Sequence, residues 1–136
     1  MLDALPSHVR QMVETLSLEP TTLSVWLIGS RANASANPRS DWDLMVFAST
    51  DPAPVKERQP GIDIIQVGPS DVCLREGDTL ELLLQFDEWE WQVIGDGEAS
   101  YSSWDDPDKN SSVIVAYDQP RIRKRFRAVK LWAQQA

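Results

Sequence analysis

Three aspartates set inside apolar runs mark where this chain could hold a cation or take up a proton. In "DWDLMVFA" Asp41 and Asp43 stand one residue apart, and in "GIDIIQV" Asp63 is the single charge among aliphatic neighbours. On a strand, residues i and i+2 project from the same face. Asp41 and Asp43 are therefore expected to point together, with Trp42, Leu44 and Val46 on the opposite side. Like charges side by side repel, and burying them without a counter-ion is costly. A bound cation is the usual remedy, because carboxylate oxygens suit hard ions such as magnesium. If the strand of Asp63 pairs with that of Asp43, three convergent carboxylates would hold two Mg²⁺ or Mn²⁺ ions about 3.5–4 Å apart, the clamp of phosphoryl transfer.

A second feature lies twelve residues upstream of Asp41. Gly29-Ser30 follows the apolar run "VWLI" and precedes "RANASA", which is rich in small, helix-compatible residues. A strand that turns into a helix there presents backbone N–H groups at the helix N-terminus, where the dipole favours phosphate. Glycine permits close approach, the Ser30 hydroxyl adds a donor, and Arg31, better placed than Arg39, is expected to meet further phosphate oxygens. Carboxylates for metal and a turn for phosphate together fit a nucleoside triphosphate.

The stretch "GSRANASANPRSDWDL" resembles the signature of the DNA polymerase β-type nucleotidyltransferase superfamily: Gly-Ser, a spacer near ten residues, then Asp-x-Asp on a strand. "IDII" is similar to its third carboxylate strand. "GSRA" and "SDWDL" look most like the minimal nucleotidyltransferases and the antibiotic adenylyltransferases. Agreement runs from about Leu23 to Val67, with a weaker likeness of "VIGDGEASY" to a turn-and-tyrosine segment of the minimal group. The resemblance implies phosphate binding at Gly29 and Ser30, metal ligation by Asp41 and Asp43, and a metal-ligand or general-base role for Asp63. It departs at Ala34, where the minimal group often has glycine; an effect on helix packing or phosphate access is expected there.

The function so implied is metal-dependent transfer of AMP, or another NMP, from ATP or a related triphosphate to a hydroxyl acceptor. By likeness to antitoxin members of the minimal group, that acceptor is a tyrosine or serine of a partner protein such as a HEPN-type toxin. The alternatives are an aminoglycoside-like small molecule, whose cationic character suits an acidic protein, and a non-catalytic module that binds nucleotide or a partner. Three intact aspartates argue against the last. The large helical domain with which bigger relatives hold RNA or DNA is not evident.

Charge narrows the partners further. The net charge is −8, and all 21 acidic residues precede Pro120, against seven basic ones, leaving −14 on residues 1–120. Such a body repels a phosphate backbone, so nucleic acid is disfavoured as a partner. The other six basic residues sit in "RIRKRFRAVK", Arg121 to Lys130. No apolar run reaches 18 residues, no signal peptide is evident, and the one cysteine, Cys73, gives no internal disulfide. A cytoplasmic protein with no membrane association is the expectation, and a homo-oligomer stays open.

The elements that must position these residues follow from periodicity. Val9, Met12, Val13 and Leu16 mark an amphipathic helix entered near Pro6-Ser7. "LSVWLI", "DWDLMVFA" and "IDIIQV" read as strands. "DTLELLLQF", with Leu80, Leu83 and Leu84 behind an Asp78/Thr79 cap, predicts a helix. "WEWQVIGDG" predicts a strand or extended arm, "EASYSSWDDPDKNSS" a polar loop, and "SVIVAY" a short strand. Ile122, Phe126, Val129 and Trp132 predict an amphipathic basic C-terminal helix over about 118–135. Together they predict one nucleotidyltransferase domain, residues 1–136: α/β (α+β), a small mixed sheet with helices mainly on one face.

Among single residues, His8 is read as surface, and Cys73, Trp26 and Trp42 as core. Trp89, Trp91 and Trp104 are candidates for ligand contact, with a structural role favoured for each. Met45, Phe47, Ile65 and Val67 share the face of the aspartates, and such an apolar patch is seldom left wet. The basic tail helix is expected to cover it and to wall the nucleotide cleft.

Overall fold

The computed structural model describes residues 4–55, 59–105 and 122–135. Helix α1, Ser7–Leu18, is followed by β1, Thr22–Ile28, then by the single turn α2, Gly29–Ala32. Strands β2 (Trp42–Ala48), β3 (Ile62–Val67), β4 (Val72–Arg75), β5 (Leu84–Gln85), β6 (Gln92–Gly95), β7 (Glu98–Asp105) and β8 (Ile122–Ala133) follow, with 3-10 turns at Leu80–Leu82 and Phe86–Trp89. Among the described residues these strands form one sheet, in the order β5-β4-β3-β2-β1-β8-β7-β6. Only β2 and β3 are parallel neighbours. The protein is thus a mixed α/β structure, as expected, but mostly sheet. No described helix is long and apolar enough to cross a membrane.

Alternation along the strands builds two cores. Leu44, Val46, Ile62 and Ile64 face one way and pack with Val25, Leu27 and Leu131 under Val9 and Val13 of α1. Met45, Ile65 and Val67 face the other way, against Trp26, Cys73, Ala99, Tyr101 and Ala128. The sheet curls around this second core. Its edge strands β5 and β6 are joined by residues 86–91 alone, and Phe86, Trp89 and Trp91 of that connector pack into the concave side. Trp91 meets Trp26 edge-on with centroids 5.1 Å apart and stacks near Tyr101. The apolar patch is therefore covered, but not by a tail helix: this connector and β7 share the task with Phe126 and Ala128 of β8.

Four expectations are corrected. First, Ile122–Ala133 is a strand, not a helix, hydrogen-bonded between β1 and β7. Residues with good helix propensity yield here to two flanking strands, an instance of tertiary context overriding local preference. Phe126 and Ala128 reach the aromatic core, whereas Leu131 and Trp132 pack on the α1 side. Residues 118–121 of the expected helix lie outside the described residues. Second, "DTLELLLQF" forms only a 3-10 turn, Leu80–Leu82, before β5, and Thr79 makes no side-chain cap. Nucleating a longer helix is costly, and Phe86, buried in the second core, leaves it no length. Third, "EASYSSWD" is not a loop but strand β7, with Ala99 and Tyr101 inward. Fourth, the helix through "SRANASA" ends after one turn at Ala32. "SVIVAY" lies outside the described residues.

Candidate active site

The parallel pairing of β2 and β3 sets Asp43 directly opposite Asp63. Neighbouring strands lie about 4.8 Å apart, so the two carboxylates emerge side by side from the concave face. Asp63 is buried, and Asp43 is half-buried. Asp41 does not join them. It is exposed one residue before β2, and it does not line the cleft that holds the other two. Among the described residues no three acidic, histidine or cysteine side chains are grouped to hold a metal ion. The carboxylates stand as a pair.

Gly29 meets that pair from β1. Its φ of +71° is a conformation suited to glycine, and a Cβ there would overlap Asp43 Oδ2 and lie 3.1 Å from the carboxyl carbon. The close approach predicted for Gly29 is thus toward Asp43. Its backbone N–H donates to Tyr101 Oη at 2.8 Å, so this amide is already engaged. Asn33 then ties the turn to β8: its Nδ2 donates to Gly29 O at 2.7 Å and to Arg127 O at 3.1 Å, and its Oδ1 accepts from Arg127 N–H at 2.8 Å. Burial pushes the Tyr101 hydroxyl above its ordinary pKa, and the charge of Asp43 adds to the rise, against the opposing bonds of Gly29 and Asn33.

Two clefts with shared walls open here. One, of about 280 Å³, runs along Gly29, Ser30, Asn33 and Ser35 and is walled by Tyr101 and Phe126. The other, of about 160 Å³, holds Asp43 and Asp63 with Arg75 and Trp89, and shares Gly29, Asp43, Tyr101 and Ser103 with the first. Among the described tail residues, Phe126 lines the first of these clefts. Beyond Arg75 and Trp89 an apolar cavity of about 270 Å³ continues between Ile65, Cys73, Leu82 and Leu84.

Arg31 points elsewhere. Its guanidinium lies over the Trp42 ring at 4.5 Å and donates to Ser40 O at 2.9 Å, in a pocket with Leu5 and Leu27 on the α1 side. Arg123 and Arg125 hold the connector instead: Arg125 donates to Glu90 O, Ser100 Oγ and Ser102 Oγ, and Arg123 pairs with the Glu90 carboxylate at 2.9 Å.

The site thus unites Gly29, Ser30, Asp43 and Asp63 and leaves Asp41 and Arg31 outside. It adds Tyr101, Asn33 and Arg75. Tyr101 carried a signal, as the tyrosine of "VIGDGEASY"; Asn33 and Arg75 carried none. Arg75 is placed by the β3–β4 register, with Nε 3.3 Å from Asp63 Oδ2. No protein-family model, curated protein or solved structure matches this chain.

Proposed function

We propose that the protein transfers a nucleoside monophosphate from a triphosphate, ATP by preference, to a hydroxyl acceptor. The observation that carries this reading is the register of Asp43 with Asp63 beside the Gly29-Ser30 turn, in two clefts that share Gly29 and Asp43. In the reaction the acceptor oxygen attacks the α-phosphorus, a new P–O bond forms, and the bond to the bridging oxygen breaks to release pyrophosphate. The acceptor proton passes to Asp63 or to water. The Gly29-Ser30 cleft binds and orients the phosphates, and the aromatic wall of Tyr101 and Phe126 excludes water from one side.

The donor set fits Mg²⁺ or Mn²⁺, since two adjacent carboxylates offer hard oxygen ligands. Asp43 and Asp63 would hold the ion, which when bound supplies neutralisation of charge on the phosphoryl oxygens. A protein acceptor, such as a HEPN-type partner, is supported by the exposed Leu80, Leu82 and Leu84, of which Leu82 and Leu84 line the cavity beyond Arg75.

A second reading, nucleotide binding without turnover, is favoured by the exposed Asp41, which leaves a pair where three carboxylates were expected. One experiment tests both. Calorimetry with ATP should give metal-dependent binding, and α-labelled ATP with candidate acceptors should give a labelled product and pyrophosphate. Affinity unchanged by a chelator would remove the metal from the proposal. Metal-dependent binding with no transfer to any acceptor would favour the binding module.

A further inference from the structure

We infer that Arg75 is the resident counter-cation of the carboxylate pair and gives way when a divalent ion enters. This deepens the proposed function and rests on the metal-binding part of it.

Asp63 lies in the sheet interior, and Arg75 Nε approaches its Oδ2 at 3.3 Å. The two ends of this pair differ sharply. The Asp63 side chain is 12% exposed, and that of Arg75 is 51% exposed. A buried carboxylate beside a second carboxylate needs a compensating positive charge, and Arg75 provides one. The arginine, by contrast, is at a strand end, at the wall shared by the carboxylate cleft and the apolar cavity beyond it. Its half-exposed guanidinium can turn to water once a divalent ion takes over the compensation of Asp63.

Position makes the exchange competitive. Arg75 reaches Asp63 within the same small cleft that Asp43 and Gly29 line, so a divalent ion coordinated there must take the oxygen that Arg75 contacts or stand against its charge. Glu76, the next residue, is half-buried beside Gln66, with its carboxyl pKa raised by burial and further by the Asp63 charge. It lies next to the same negative field and offers Asp63 no relief. Arg75 therefore adds positive charge to the pair without metal and competes with a metal ion for Asp63.

The test uses the full chain with MnCl₂ alone, free Mn²⁺ being followed by electron paramagnetic resonance and stability by thermal melting. Arg75→Gln removes the charge while keeping much of the bulk, and Arg75→Lys keeps the charge. Arg75→Gln should bind Mn²⁺ about five- to tenfold more tightly than the wild type, the scale set by removing one nearby like charge. It should also melt lower without metal and recover more on adding Mn²⁺. Arg75→Lys should stay within about twofold of the wild type. Wild-type Mn²⁺ binding that is unchanged or weakened in a folded Arg75→Gln protein overturns the inference and leaves the proposed function standing. If Arg75→Gln does not fold, Arg75→Lys decides: binding shifted well away from wild type overturns the inference, and binding held near it supports it. If neither wild type nor variants bind Mn²⁺, the inference and the metal reading fall together.

Discussion

The two faces of the sheet solve the same packing problem with different side chains. On the α1 face, valine, leucine and isoleucine from β1, β2, β3 and β8 close against Val9 and Val13, and the buried members of that cluster are all aliphatic. On the concave face, Trp26, Phe86, Tyr101 and their neighbours pack around gaps, and two aspartates emerge between them. Aliphatic side chains interdigitate to high density with nothing left to satisfy. Aromatic rings are rigid and bulky, with polar edges that can serve hydrogen bonds, as the Tyr101 hydroxyl does for Gly29. The first face supplies stability, and the second spends some of it to hold charges next to open volume.

Adjacent residues of one strand give the sharpest way to break that comparison. Asp43→Ala should abolish the proposed nucleotidyl transfer, while apo stability stays level or rises because one of two repelling carboxylates is gone. Leu44→Ala, at a fully buried position on the other face, should lower stability by about 2–5 kcal/mol. Chemical denaturation of both variants and transfer by the folded fraction separate the roles. An Asp43→Ala protein that unfolds would make Asp43 a structural residue.

Gly29 comes next in expected effect. A Cβ there collides with Asp43 Oδ2 at a positive φ, so Gly29→Val should cost roughly 2–4 kcal/mol and displace the carboxylate. Ser30→Ala, one residue on in the cleft proposed to take phosphate, removes a donor worth about 1–3 kcal/mol to a charged phosphate and should leave the fold alone. Nucleotide affinity and melting temperature, measured together, rank the two. The reverse order would count against a phosphate-binding turn.

Tyr101 ties the Gly29 turn to the concave core through one hydroxyl. Tyr101→Phe leaves the Gly29 N–H without its acceptor and should lower stability by about 1–2 kcal/mol at neutral pH. The sign of its pH dependence follows from the raised hydroxyl pKa. The folded state holds the proton more tightly than the unfolded chain, so the contribution of Tyr101 is complete below the ordinary tyrosine pKa near 10 and is lost as pH rises through the folded value. Wild type and Tyr101→Phe should therefore converge in stability in alkali. A constant gap between them from pH 7 to 11 would mean that the hydroxyl does not titrate with folding.

What could be seen in the sequence was what local periodicity records. Helix α1 and strands β1 to β3 follow from spacing within a few residues, and the pairing of Asp43 with Asp63 was legible because each is a charge inside an apolar run. The tail misled for the same reason. Ile122, Phe126 and Val129 have helical spacing, but Arg123, Arg125 and Arg127 alternate strictly, the period of a strand. Only the neighbouring β1 and β7, distant in sequence, decide between the two periods. Arg75 was invisible in the same way, since its contact with Asp63 depends on how β4 registers on β3.

The smallest predicted effect tests whether the polar face carries strain that the aliphatic face does not. Ala34 has a φ of +57° just after α2. The backbone has to reverse there: Asn33 N–H and Ser35 N–H both donate to Ser30 O, at 3.3 and 3.1 Å, which closes the turn around this residue. A Cβ in the left-handed region costs roughly 1–2 kcal/mol. Glycine removes that cost but has more freedom to lose on folding, about 0.4–1 kcal/mol. Ala34→Gly should therefore stabilise the protein by about 0.5–1 kcal/mol net, read as a rise of a few degrees in melting temperature. Ala34 is exposed and does not line the cleft of Gly29 and Ser30, so nucleotide affinity should stay within about twofold. Loss of stability would show that the alanine methyl makes a contact that outweighs its strain. A large change in affinity would show that this turn, like Tyr101 and Asn33, belongs to the working side of the sheet.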